Sequence, residues 1–265
     1  MRQDVIELRE FYASPLGGAA ARMIGRKVGE AWGSVEGLDM LALGYAVPLV
    51  AAAQARRVIA AMPAAQGVEV WPAGARNLSC LVHDACLPFA NALFDRVLAV
   101  HALEESDNPL DLLREVGRVL SPSGRLIVTV TARRGMWANA EATPFGHGRS
   151  FSRGQLERLL REAELEPMGW TRALYAPPLK GAHNWAEPFE RAGAALWPPF
   201  AGVILMEAAK QTFAVIPRAV RARARATPVL QPAAIPAGAR RAARVLEPRQ
   251  IRSNLRGAHA RRALT

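Results

Sequence analysis

Two largely apolar runs, "FDRVLAVHAL" (Phe94 to Leu103) and "GRLIVTVT" (Gly124 to Thr131), flank a segment with helical periodicity, and this unit constrains the fold more than any other part of the chain. Near-continuous apolar runs suit strands buried on both faces, as in a parallel sheet covered by helices. The segment between them, "SDNPLDLLREVGRVLSPSG", carries its own start and stop signals. Asn108 caps a helix and Pro109 fits its first turn. Leu112, Leu113, Val116, Val119 and Leu120 recur at helical spacing, and Pro122 and Gly124 turn the chain into the next strand.

Three further strand-like runs precede this unit: "LDMLALG" (Leu38 to Gly44), "RRVIAAM" (Arg56 to Met62) and "LSCLVHD" (Leu78 to Asp84). After it, "SFSRGQLERLLREAEL" opens with Ser152 and Gln155 as a capping box and continues with an apolar stripe at Leu156, Leu159 and Leu160. The segment from Val5 to Trp32 reads as helix broken at Pro15 to Gly18. Met168 to Tyr175 and Val203 to Lys210 read as a late strand pair flanking a helix over Trp185 to Leu196. Alternating strands and helices predict an α/β three-layer sandwich.

Charge divides the chain. The net charge is +11 over 265 residues, yet residues 218–265 hold 12 Arg, no Lys and the single acid Glu247, so residues 1–217 are neutral. The expected organisation is an α/β domain over 1–217, with its core at 38–175, followed by a basic Ala/Arg/Pro-rich tail over 218–265 with no aromatic residue and no steady period, read as disordered. Such a tail offers an electrostatic arm for nucleic acid or is simply solvated. The absence of aromatics for base stacking favours the latter. The N-terminal "MRQDVIELRE" has no signal-peptide character, and "AGAALWPPFAGVILM" is too short for a membrane span and is interrupted by Pro198 and Pro199. A soluble, cytoplasmic protein is expected. Cys80 and Cys86 make neither a metal spacing nor a disulfide framework, so no metal is expected.

The block from Phe94 to Val130 resembles the fourth-strand, helix and fifth-strand region of class I S-adenosylmethionine-dependent methyltransferases, in the branch that acts on small molecules. "HDACLPFANALFD" resembles the segment before it, and "TPFGHGRSFSRGQLERLLREAEL" the helix after strand five. The resemblance spans about residues 38–175. It implies a Rossmann-like sheet of strand order 3-2-1-4-5-7-6 and S-adenosylmethionine as cofactor, lying over the carboxyl ends of strands one, two and four.

Carried over residue by residue, the resemblance implies cofactor contacts at Gly44, Tyr45, Ala46, Met62, Asp84, Ala85 and His101. The glycine-rich first motif is reduced to "LALGYAVPL", with Ala46 and Pro48 where further glycines are expected. No acid closes strand two, since none occurs between Asp39 and Glu69. Loss of that charge-assisted contact to the ribose costs about 1.5–3 kcal/mol. Asp84 stands where an adenine-contacting acid is found. His101, at the end of strand four, is the candidate base or orienting group. Tyr12, Trp137, His147 and Arg149 are four candidates for the acceptor side, and Phe145 and Trp185 are two more. No "N/D-P-P-Y/F" tetrapeptide points to methylation of nucleic-acid bases.

Three readings stay open at this point: a small-molecule methyltransferase with a divergent cofactor loop, a catalytically degenerate methyltransferase-fold protein acting as a binding or scaffold module, and an RNA-acting enzyme that uses its tail as an arm.

Overall fold

The structure is a computed structural model and describes residues 3–179, 181 and 185–211. The tail over 218–265 lies outside the described residues. Seven strands form one sheet: β1 (Asp39–Gly44), β2 (Arg57–Pro63), β3 (Ser79–Val82), β4 (Phe94–Val100), β5 (Leu120–Thr131), β6 (Leu165–Ala173) and β7 (Val203–Lys210). Their order is β3-β2-β1-β4-β5-β7-β6. β7 runs antiparallel to both β5 and β6, and the other pairings are parallel. The expected strand order is therefore the one found.

β1 lies between β2 and β4 and is buried at every position. One face of the sheet is covered by α4 (Pro109–Val119) and α5 (Arg153–Glu162), whose Leu112, Leu113, Val116, Leu156 and Leu160 are fully buried against it. Each such side chain stabilises the fold by about 1.5–3 kcal/mol. The caps are those the sequence predicts. Asn108 accepts from the Asp111 amide, and Ser152 with Gln155 forms a complete capping box.

The opposite face is built differently from a regular βα repeat. The helix after β1, α3 (Val47–Val50), is a single turn, and no helix separates β2 from β3. The N-terminal α1 (Val5–Ala13) and α2 (Pro15–Trp32) supply that layer instead. Their break falls at Ser14, not over Pro15 to Gly18: Ser14 ends α1 and caps α2 by accepting from the Gly17 amide, while Pro15 takes the first turn where its missing N–H costs nothing. The late strand pair encloses a helix as expected, α6 (Ala186–Leu196).

β1 ends in a turn that only glycine accommodates. Gly44 has φ +74°, and a Cβ there would stand 2.2 Å from the Val100 carbonyl oxygen of β4. The next amide, Tyr45 N–H, donates to that same oxygen at 2.9 Å. Gly44→Ala is expected to lower stability by at least about 1–3 kcal/mol, from backbone strain alone before the steric contact is added. Urea unfolding measures it, and an unchanged midpoint contradicts this role for the turn.

Candidate active site

The strand order reverses at β1, so a crevice is expected over the carboxyl ends of β1 and β4. Here α1 lies in it. Leu8 and Tyr12 pack with Tyr45, Val47, Ala60 and Met62 in a small buried cluster. The Tyr12 ring stacks on Tyr45 with centroids 5.7 Å apart. Its hydroxyl lies 2.9 Å from His101 Nε2, a hydrogen bond between two buried groups. The entry to α1 is fixed as well, since Val5 N–H donates to the Gln66 carbonyl at 2.7 Å.

His101 is the centre of this arrangement. Its backbone is left-handed, with φ +52°, a conformation that costs a non-glycine residue free energy and must be held by its surroundings. Tyr12 holds the ring, and the buried Gln66 donates through Nε2 to the His101 carbonyl at 2.5 Å. Phe145 packs on the imidazole at 4.8 Å, and Trp137 meets Phe145 edge-on at 5.3 Å. Burial pushes the imidazole pKa down to about 3, so His101 is neutral near pH 7. Tyr12 is raised, by burial first and by Glu104 second, and keeps its proton.

Behind His101 lies a set of buried polar groups. Glu104 Oε1 accepts from the Thr131 amide at 3.1 Å. Glu104 Oε2, Ser106 Oγ, Thr129 Oγ1 and Thr131 Oγ1 are buried without a hydrogen-bond partner. Buried polar atoms are usually paired, so these four, near the carboxyl ends of β4 and β5, are exceptions. Burial raises the Glu104 carboxyl to about 8.

The other expected cofactor residues divide in two. Tyr45, Ala46 and Met62 are buried beneath or beside α1. Asp84 and Ala85 instead line an open cleft of about 280 Å³ with Ala64, His83, Asp107 and Asn108. No acid closes β2, but Glu69 from further along the chain comes back to its end. The loop after β2 folds back so that Glu69 N–H meets Met62 Sδ at 3.5 Å, while Tyr45 donates its hydroxyl proton to Glu69 Oε1 at 2.8 Å. Arg9 of α1 stands 3.9 Å from the other carboxylate oxygen. Neither Glu69 nor Gln66 was expected at the site. No local pattern marks either one, because the return of the loop over 64–78 places them.

The acceptor-side candidates do not all converge. Tyr12 and Trp137 are buried, and Trp137 Nε1 donates to the Ala176 carbonyl. His147 lines a cleft of about 470 Å³ with Glu7, Glu10 and Glu141 on the outer side of α1. Arg149 is exposed, and its backbone N–H donates to the Glu104 carbonyl at 2.9 Å. Phe145 joins the ring cluster around His101, and Trp185 is exposed.

A mostly parallel seven-stranded sheet with an antiparallel β7 between β5 and β6 is the fold of the class I S-adenosylmethionine-dependent methyltransferases. Residues 40–128 match the methyltransferase domain family, which implies S-adenosylmethionine as the cofactor. Among solved structures of similar fold, the [4+2]-cyclase SpnF is 22% identical with a TM-score of 0.52, over 74% of this chain and 82% of its own. A possible histamine N-methyltransferase from Thermotoga maritima is 19% identical with a TM-score of 0.51, over 78% and 96%. An S-adenosylmethionine-dependent methyltransferase from Mesorhizobium loti is 13% identical with a TM-score of 0.52, over 76% and 100%. No curated protein sequence matches the chain.

The residues suit the cofactor unequally. The cleft at Asp84 is open to a purine, with a carboxylate placed to accept from its amino group. Beside the Gly44 turn, Tyr45 and Met62 are packed under Leu8 and Tyr12 of α1.

Two buried groups set opposite pH slopes. The unfolded chain ionises Glu104 near 4.5 while the folded protein holds the proton to about 8, so its contribution is lost as pH rises through that range. The unfolded chain protonates His101 near 6.5 while the folded protein does so only near 3, so its contribution is lost as pH falls. The slopes oppose each other between the two unfolded values, and stability is expected to peak there, falling on either side by up to about 1.4 kcal/mol per pH unit. In Glu104→Gln the alkaline fall should flatten. Denaturant midpoints across pH check this, and an unchanged alkaline limb contradicts it.

Proposed function

We propose that the chain is a methyltransferase that uses S-adenosylmethionine to methylate a small-molecule acceptor, and that α1 must leave the crevice for the cofactor to seat. Two features support this reading: an open cleft of about 280 Å³ at Asp84, and a separate buried cluster in which Leu8 and Tyr12 of one short helix pack on Tyr45 and Met62. When bound, S-adenosylmethionine supplies an electrophilic methyl group. The protein's part is then chiefly alignment and exclusion of water.

In this reading Asp84 and Ala85 hold the adenine edge. The Gly44–Ala46 turn faces the methionine end, and Glu69, freed from Arg9, takes the role of the absent acid near the ribose. Displacing Tyr12 gives His101 Nε2 a free lone pair beside the orphaned polar atoms around Glu104. His101 then orients the acceptor and, once exposed to water, regains basicity enough to take a proton from an O–H or N–H nucleophile.

Docking of α1 limits the affinity. Burial of Leu8 and Tyr12 and their hydrogen bonds stabilise the closed form. If the net difference is about 3 kcal/mol, roughly one molecule in 150 is open, and the apparent affinity falls by the same factor. A second reading has its own support. The packing of Leu8, Tyr12 and Met62 is as dense as a core, which suits a catalytically degenerate module that retains the fold.

Calorimetric titration with S-adenosylhomocysteine separates the two. Tyr12→Phe leaves His101 without its buried partner in the closed form and is expected to tighten binding about tenfold. Asp84→Ala is expected to weaken binding without restoring closure. Equal affinity in wild type and Tyr12→Phe contradicts the gate, and absence of binding in every variant at millimolar ligand supports the degenerate module.

A further inference from the structure

The carboxyl edge of the sheet has a second, open half beyond β5. Since β7 begins where β5 and β6 end, the described residues of the connection between β6 and β7 lie at this edge. Twelve large hydrophobic residues are exposed among the described residues, and seven of them fall on this connection or on the loop after β5: Met136, Leu179, Trp185, Phe189, Leu196, Trp197 and Phe200. That concentration separates them from the scattered apolar residues any surface carries. Met136, Phe189, Trp197 and Phe200, with Tyr175 and Pro177, line an apolar hollow of about 370 Å³.

A basic cleft of about 490 Å³ adjoins it, lined by Arg133, Arg134, Arg153 and Arg172 and by no acidic residue. The two share walls. Arg134 and Met136 flank Gly135, and Pro199 and Phe200 sit side by side in the turn at Pro198–Phe200. Gly135 is pressed so closely to Ala201 that a Cβ would stand 2.2 Å from its carbonyl oxygen, which fixes loop and turn together.

One of the arginines is paired within the fold, since Arg153 Nε donates to Glu157 Oε1 at 2.6 Å. Arg153 and Arg172 both lie over the Trp170 ring, at 4.5 and 4.8 Å, holding two like charges on one indole. Burial first, and also the neighbouring Arg153, lower the Arg172 pKa. Arg133 and Arg134 are exposed at the mouth.

Exposed tryptophan, phenylalanine and leucine beside a cluster of arginines is the chemistry of a surface that rests on an anionic bilayer, with apolar side chains in the acyl boundary and guanidiniums on phosphates. We propose that this face docks on the surface of an anionic phospholipid membrane. No helix among the described residues is long and apolar enough to cross a membrane, so the contact is peripheral. Charge complementarity selects this partner over a second copy of the chain, because a two-fold pairing of this face would set the arginine cluster against itself.

The test is sedimentation of the full chain with vesicles of phosphatidylcholine, with and without phosphatidylglycerol. Binding to the anionic vesicles only is expected, with a blue shift of tryptophan emission as the indoles leave water. Charge reversal in Arg133→Glu with Arg134→Glu should weaken binding on the order of 30-fold or more. Trp197→Ser with Phe200→Ser should weaken it and reduce the blue shift. Both pairs are exposed, so the fold is expected to survive, and unfolding midpoints confirm that. Binding that is unchanged in both double variants would assign the interaction to the Arg-rich tail and overturn the proposal. So would self-association through this face in the absence of lipid, abolished by Trp197→Ser with Phe200→Ser.

Discussion

The hydrogen bond between Tyr12 and His101 decides what the rest of this structure can do. It ties a helix of nine residues to the carboxyl end of β4, across the point where the strand order reverses. Tyr45 and Met62 lie beneath or beside α1, while Asp84 and Ala85 line the open cleft beyond it. The bond itself is modest, about 1 kcal/mol net. Its leverage comes from burial, since each partner loses its only acceptor or donor in a dry environment if the other departs.

The two halves of the carboxyl edge carry opposite arrangements. Over β1 and β4 the apolar groups have found one another, and Leu8 and Tyr12 close the surface. Over β5, β7 and β6 they have not, and tryptophan and phenylalanine face solvent beside four arginines. The same sheet edge therefore carries a covered half and an open half, and the proposals of a gate and of a docking face rest on that difference. In a methyltransferase, such an arrangement would bring the acceptor side close to a membrane surface.

Much of the scaffold was legible in the sequence because it rests on local rules. Apolar runs gave the strands, Asn108 and Ser152 the helix starts, and the resemblance from Phe94 to Val130 the order of the sheet. Where the reading fell short, the cause was tertiary. The break between α1 and α2 lies at Ser14 because one hydroxyl caps the second helix, although Pro15 to Gly18 hold the residues that usually break helices. Glu69 reaches Met62 through a loop with no periodicity. Most of all, nothing in "VIELREFYA" distinguishes a helix that covers a crevice from one that covers a sheet. Tyr12 was expected to face the acceptor, and the pairing with His101 could be found only in three dimensions.

The central claim is that α1 and the cofactor compete for one space. Hydrogen exchange at the amides of Leu8 to Ala13, followed as S-adenosylmethionine is added to the full chain, addresses it directly. The account predicts that bound cofactor strips these amides of protection while those of β1 and β4 keep theirs. Unchanged or increased protection of α1 in the cofactor-saturated protein would contradict it.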